Sequence, residues 1–188
     1  MEHFKFNIHP KRKLRLDPQY SPIILNNIAY EDAVKSSENP VSVRIAIERS
    51  NGQIAAVECQ VFNDELLQEN ANFNYLERLI KTLIWLKGGY RIYIGGHIGL
   101  AKMIKNAYSQ DGLRDFDRDF MSKVYEHEFE VVITDYDLVP QSKESSKPIG
   151  RHLDGYRIGF DAGGSDRKVS AVVDGKAIYS EEVVWYPK

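Results

Sequence analysis

Apolar residues between positions 41 and 134 switch repeatedly between the two-residue period of a strand and the 3.6-residue period of a helix. Residues 41–48 alternate apolar and polar, Asn51-Gly52 supplies a hairpin turn, and residues 53–62 resume the extended pattern. The predicted order is β-β-α-β-α-α-β, which favours an α/β domain with a mixed sheet and parallel neighbours. Its later elements are helices at 72–87, 98–108 and 116–125 and strands at 90–94 and 129–134.

The boundaries of the first long helix can be predicted from polar residues and glycines. Asn72 or Asn74 is expected to cap its amino end, and Gly88-Gly89 to end it. The apolar residues between them recur at helical spacing, which predicts a wide buried face.

Composition excludes several classes of protein. The 188 residues are 43% hydrophobic and 28% charged, with a net charge of −2, as in an ordinary globular chain. This charge disfavours a nucleic-acid partner. The single cysteine, Cys59, rules out an internal disulfide and is expected to be a buried, inert thiol. No apolar stretch is long enough for a membrane span, so we expect a cytoplasmic protein without a membrane partner.

The composition changes between residues 139 and 153, where PQSKESSKPIGRH carries two prolines and no periodicity. We therefore predict two domains, at 1–150 and 151–188. The second reads as a meander with strands at 156–160, 168–173 and 177–185 and a tight turn at Asp174-Gly175. A three-stranded meander cannot bury both of its faces by itself, so it needs a covering surface from the first domain or from further chain.

The stretch IGFDAGGSDRK, from Ile158 to Lys168, has the residues of a phosphate-binding turn. Gly163 and Gly164 allow backbone N–H groups to approach an anion, and the hydroxyl of Ser165 adds a donor. Asp161 at the strand end is placed to hold a hydrated Mg²⁺ ion. Arg167 or Lys168 could neutralise phosphate charge, and a plain hairpin whose glycines only form the turn is the alternative.

The Asp-x-Gly-Gly-Ser pattern resembles the first phosphate motif of the actin, heat-shock chaperone and sugar-kinase ATPase superfamily. Asp161, Gly163, Gly164 and Ser165 are most similar to the ROK group of sugar kinases and sugar-responsive regulators, whose pattern ends in Thr. Asp166 departs from the Asn or Lys usual in that group and places negative charge near the expected phosphates. The resemblance covers about residues 156–186.

The resemblance implies the opening of an actin-like ATPase lobe that binds ATP and Mg²⁺ and phosphorylates a sugar. The second phosphate loop, the adenosine-contacting glycines and the general-base aspartate of that family would have to follow Lys188, so we expect an N-terminal portion that is inactive alone and carries no catalytic residue. The expected partners are the remainder of its own chain, the sugar and, as a further option, a second copy. The group's cysteine-rich zinc motif is absent, since Cys59 stands alone. The alternatives are a non-catalytic sugar-responsive regulator and a protein-interaction or dimerisation module.

Two other segments are candidate sites. Gly95-Gly96 and His97 join a strand to a helix, which is typical either of an anion site at a helix N-terminus or of a turn without a ligand. In outline the stretch also resembles the adenosine motif of the ROK group, but that interpretation requires a permuted or duplicated lobe because the stretch precedes the phosphate motif. In DGLRDFDRDF, the residues Asp111, Asp115 and Asp119 share a helical face, where they could bind a divalent ion or pair with neighbouring arginines. We favour the turn without a ligand and the self-paired face.

Overall fold

The computed structural model describes residue 8 and residues 10–63, 69–146, 150 and 152–186. The chain divides into two compact units, Met1–Ser145 and Ser146–Lys188. The first contains helices and a four-stranded sheet, and the second contains a three-stranded sheet. The α/β class and the mixed sheet predicted from sequence are therefore confirmed, and the division falls within the segment predicted to be a linker.

The four-stranded sheet of the first unit has the order β2-β1-β3-β4. Strand β1 is antiparallel to β2 and to β3, whereas β3 and β4 are parallel, as the predicted crossover requires. The turn between β1 and β2 has positive φ at Asn51 (62°) and Gly52 (63°), which confirms the hairpin. In chain order the elements are α1 (Ile23–Lys35), β1 (Val41–Arg49), β2 (Gln53–Val61), α2 (Glu69–Lys87), β3 (Arg91–Gly95), α3 (Ile98–Ala107), α4 (Asp115–Tyr125) and β4 (Glu130–Thr134).

The main core lies between one face of this sheet and the helices. Alternate residues of the two central strands point into it, and the helices add aliphatic residues at helical spacing. Burying each such side chain contributes about 1.5–3 kcal/mol. The largest fully buried side chains of this core are Val43, Ile45, Ile47, Val61, Leu76, Ile80, Ile84, Ile92, Ile94 and Ile104.

Two local features differ from the sequence predictions. Helix α1 was not predicted, because its buried residues are Asn26, Tyr30 and Val34, and the apolar stripe therefore contains a polar residue. The predicted cap at Asn72 or Asn74 is wrong, since α2 begins at Glu69. Asn72 instead lies inside the helix, where its amide accepts from the Tyr30 hydroxyl at 2.6 Å and bonds both backbone groups of Phe62.

The other face of the sheet is crossed by a segment that we call the strap, residues 136–145. Val139 in the strap is 2% exposed. Farther along, the Lys143 backbone N–H donates to the Ile54 carbonyl at 2.8 Å, and the Ile54 N–H donates to the Lys143 carbonyl at 2.9 Å. Arg49 adds an ion pair of 2.7 Å with Glu144. The strap is therefore attached to the outer edge of β2.

The second unit is an antiparallel meander of β5 (Tyr156–Ala162), β6 (Asp166–Val173) and β7 (Lys176–Val184). The β6–β7 turn has positive φ at Asp174 (49°) and Gly175 (80°), as predicted for a tight hairpin. None of the described residues of this unit is buried, and Ile158 is 81% exposed. A sheet of this size without a covered face is marginal by itself.

Candidate functional site

The predicted phosphate-binding residues lie at the β5–β6 turn. Strand β5 ends at Ala162 and β6 begins at Asp166, so that Gly163, Gly164 and Ser165 lie outside both strands. Ala162 pairs with Arg167 as the last rung of the ladder. The three residues are therefore a connection outside the sheet, in which Gly163 is half-buried and Gly164 and Ser165 are exposed.

Trp185, which follows β7, holds this turn from one side. Its indole Nε1 donates to the Gly163 carbonyl at 2.8 Å, and its backbone N–H donates to the Ser165 carbonyl at 3.1 Å. The hydrogen bonds that hold the turn in the described structure thus use carbonyl oxygens, and none uses the N–H groups of residues 163–165. Three consecutive backbone donors remain available for an acceptor. Sequence reasoning missed Trp185, because an aromatic residue after a strand gives no local sign of such a role.

The two glycines of the turn have different steric surroundings. A Cβ on Gly163 would lie 2.8 Å from the backbone oxygen of Asp166 and 2.8 Å from its Oδ1, which is too close. A Cβ on Gly164 would meet no described heavy atom within 4 Å, and the φ of Gly164 lies outside the left-handed region. Packing therefore explains Gly163, whereas the fold alone does not require glycine at position 164.

Charged residues form a row beside the turn. Asp161, Lys168 and Glu182 are direct partners across the three strands and so share one face of the sheet. The Lys168 ammonium lies 3.5 Å from Oδ2 of Asp166 and 3.7 Å from Oε2 of Glu182. The pKa of Lys168 is raised mainly by Asp166 and less by Glu182. The pKa of Asp166 is lowered mainly by hydrogen bonding with Glu182 and less by the charge of Lys168. Three carboxylates around one ammonium leave an excess of negative charge.

Arg167 lies on the opposite face of the sheet from Asp161. It pairs with Ala162 and Val183, and it lines a shallow depression of about 230 Å³ together with Phe160 and Glu181. The structure therefore places Lys168, and not Arg167, beside Asp161. Gly163, Gly164 and Ser165 are brought together by their position in the chain alone.

The second glycine pair is explained by close packing. A Cβ on Gly96 would lie 2.1 Å from the Ser42 carbonyl oxygen, and one on Gly95 would lie 2.7 Å from that of Asp135. His97 caps α3, because its Nδ1 accepts from the Leu100 N–H at 3.1 Å. These contacts favour the interpretation of a strand-to-helix turn without a ligand.

The acidic segment 111–120 is paired with basic residues. Asp115 forms an ion pair of 2.7 Å with Arg118, and Asp119 forms one of 2.6 Å with Lys123. Asp111 precedes the helix and has a φ of 60°. Within the described residues there is no group of three His, Cys, Asp or Glu side chains that could hold a metal ion. The ion pairs of Asp115 and Asp119 favour the self-paired interpretation of the segment.

Arg114 and Asp117, by contrast, turn inward and form a buried ionic cluster between α2 and α4. Arg114 donates to Glu77, and its Nη1 lies 3.6 Å from Oδ2 of Asp117. The Trp85 indole donates to Oδ1 of Asp117 at 2.6 Å. Both carboxylate side chains are only 5% exposed, whereas that of Arg114 is 18% exposed. The cluster joins the two helices through charge, and the sequence prediction of a self-paired face did not include it.

Glu48 is the centre of a second polar cluster, on the strap side of the sheet. It accepts from the Tyr93 hydroxyl at 2.9 Å, from Arg91 at 2.9 Å and from the Tyr90 hydroxyl at 3.3 Å. Burial alone would raise the pKa of Glu48, but the hydrogen bonds from Tyr93 and Arg91 outweigh it and lower the pKa. The cluster fixes an ionised carboxylate in place, and Arg91 is also paired with Glu130.

Comparison with known proteins gives no family for this chain. No protein-family model, curated protein or solved structure matches it. Across the described residues, no helix combines the length and the apolar character that crossing a membrane requires.

Proposed function

We propose that residues 156–186 form the first phosphate-binding hairpin of a ROK-like, ATP-dependent sugar kinase. The observation that carries this proposal is the β5–β6 turn itself. Trp185 occupies the Gly163 and Ser165 carbonyls, and the N–H groups of residues 163–165 stay unused by the protein. Consecutive free amides form a concavity suited to phosphate oxygens. Gly164 supports the proposal, because open space around its α-carbon permits close approach of a ligand.

The charges around the turn suit a polyphosphate that arrives with Mg²⁺. Three carboxylates lie around Lys168, so a bare phosphate would be repelled, and a bound Mg²⁺ would reduce that repulsion. Asp161 would hold the hydrated ion, because no ion pair in the described structure occupies its carboxylate. Lys168 is placed on the same face to neutralise phosphate oxygens.

In the intact protein, ATP would donate its γ-phosphoryl group to a sugar hydroxyl through positioning and charge neutralisation. We assign no catalytic residue to the present chain. The second unit has no buried residue among those described, so it needs layers that other polypeptide supplies. We propose that this polypeptide is the remainder of its own chain and that the hairpin alone binds weakly.

Titration of the 188-residue chain with ATP, followed by calorimetry and by amide NMR shifts, tests the proposal. We expect no affinity tighter than about millimolar, together with shifts at residues 163–165 that require Mg²⁺. Gly164→Ala should abolish these shifts without loss of fold, since its Cβ meets nothing in the free protein. Gly150→Ala is the matched control, because a Cβ there also meets open space.

Two results would contradict the proposal in different ways. Micromolar binding would refute the inference that the hairpin needs further polypeptide. Unchanged amide shifts at residues 163–165, at ATP–Mg²⁺ concentrations that saturate any weak site, would refute the phosphate-binding turn itself.

A further inference from the structure

The outer face of α4 carries a row of large apolar side chains that the first unit does not cover. We call it the α4 stripe: Phe116, Phe120 and Val124 of the helix, Leu113 just before it, and Trp85 of α2, which is stacked on Phe120 at 5.2 Å. Phe116 is 71% exposed and Val124 is 56% exposed. The inner face of the same helix is separate, since it buries Asp117 and Met121. Helix α4 is therefore apolar on a face that is not needed for its own core.

The exposed area of the α4 stripe is close to what a stable interface requires. With roughly 200 Å² for each large side chain, the exposed fractions of its five members correspond to about 550 Å². A standard interface buries about 800 Å² on each partner, of which the apolar centre is the larger part and a polar rim the rest. A patch of about 550 Å² lies near the top of the range of about 300–600 Å² for the largest apolar patch of a typical monomer, and patches of that size are often functional.

The pattern of the stripe is symmetric about Phe120. Phe116 and Val124 lie four residues before and four residues after it, at the spacing of one helix face. When two copies of α4 pack antiparallel across a two-fold axis at Phe120, Phe116 of each copy meets Val124 of the other. A surface that matches itself in this way is what an isologous dimer requires.

The charges at the edge of the stripe are also self-complementary. Asp119 and Lys123 lie beside the apolar row, with exposures of 51% and 74%, and they pair with each other within one helix. In the antiparallel arrangement Asp119 comes within reach of Lys123 of the second copy, and the reverse pair forms by symmetry. A second copy automatically places opposite charges against Asp119 and Lys123, whereas an unrelated partner would carry that arrangement only by chance.

We propose that the first unit forms a two-fold symmetric homodimer through the α4 stripe, with the α4 helices antiparallel and Phe120 at the axis. This interaction surface is independent of the proposed phosphate-binding turn, which lies in the second unit. The proposal also gives a defined geometry to the second copy of the chain that the sequence analysis named as an optional partner.

Disulfide cross-linking tests the register. Packed helices lie 8–10 Å apart, which brings facing α-carbons to about 4–5 Å, within the span of a disulfide. In a Cys59→Ser background, we expect Phe120→Cys to form a covalent dimer on mild oxidation. Phe116→Cys should not do so by itself, because its two copies would lie about 12 Å apart along the axis. A mixture of Phe116→Cys and Val124→Cys should cross-link.

Sedimentation equilibrium of the whole chain tests the affinity. Phe116→Glu should weaken dimerisation at least tenfold, since it places a charge in the apolar centre. The matched controls are Ile98→Glu, on another exposed helix position, and Ile158→Glu, on the exposed sheet of the second unit. Neither should change the dimerisation constant if the α4 stripe is the interface.

Charge exchange provides an independent measurement. Asp119→Lys and Lys123→Asp should each weaken the homodimer, and an equimolar mixture of the two variants should associate more strongly than either alone. The proposal is overturned if the wild-type chain is monomeric at a concentration of about 200 micromolar, at which even a weak complex would be detected. It is equally overturned if Ile158→Glu abolishes association while Phe116→Glu does not, or if Phe116→Cys cross-links as readily as Phe120→Cys.

Discussion

Replacement of Arg114 by Met tests whether the buried cluster between α2 and α4 stabilises the first unit. Arg114 is the cation that faces both Glu77 and Asp117, whose side chains are 5% exposed. The Arg114→Met variant keeps most of the side-chain volume but leaves two buried carboxylates without their cation. Removing one member of a buried pair costs about 3–5 kcal/mol. We expect about 3 kcal/mol, because Asp117 keeps its bond from Trp85 and Arg114 is 18% exposed.

Urea unfolding followed by circular dichroism measures this loss. With a slope of about 1–3 kcal/mol per molar urea, a loss of about 3 kcal/mol lowers the midpoint by about 1–3 M. Trp85 provides a local signal, since its indole bonds Asp117 within the cluster. The Arg118→Met variant is the control on the same helix. Its partner Asp115 is 38% exposed, so the expected loss is below about 1 kcal/mol.

A double variant separates charge from packing. When Glu77→Met is added to Arg114→Met, one stranded carboxylate disappears, and part of the lost free energy of unfolding should return. Equal losses for Arg114→Met and Arg118→Met, or a further loss in the double variant, would show that the cluster does not act as a buried ionic unit.

Two other predictions follow from the described contacts. Glu48→Gln should lower the free energy of unfolding by about 1–3 kcal/mol at pH 7, because hydrogen bonds to an ionised carboxylate are lost. The pKa of Glu48 is lowered in the folded state. The extra stability of the wild type over Glu48→Gln should therefore be complete above the ordinary carboxyl pKa of about 4.3 and decline as the pH falls below it. A stability difference that does not change with pH in acid titration would contradict this. Burial raises the pKa of Cys59 to about 12. Its thiol should therefore react with a disulfide reagent at pH 8 at least tenfold more slowly in the native chain than in urea, and equal rates would refute the assignment of an inert thiol.

The elements that could be predicted from sequence are those with a local cause. Asn51-Gly52 and Asp174-Gly175 tolerate positive φ, and both turns are hairpins in the structure. Strands with alternating apolar residues were predicted for the same reason, since the buried face of a sheet imposes a period of two. These two turns, together with the spacing of apolar residues in the neighbouring strands and helices, were sufficient to predict the α/β class.

The elements that were missed depend on contacts far away in the chain. Asn72 has the character of a cap in sequence, but a tertiary hydrogen bond to Tyr30 draws it into the helix. Arg114 lies among charges that looked solvated, and only the packing of α2 against α4 turns it inward. The role of Trp185 depends on the return of β7 beside the glycine turn, which no spacing in the sequence shows.

The bridge between the strap and β2 has a consequence for how this protein can aggregate. Both backbone groups of Ile54 on the outer edge of the sheet are engaged by Lys143, so an incoming strand from another molecule would first have to displace them. Unprotected edges are where β-addition and fibril growth usually begin. Fibrils nucleated at the β2 edge should therefore start only after the strap has detached, and cutting the chain within residues 139–143 should shorten the lag before they appear.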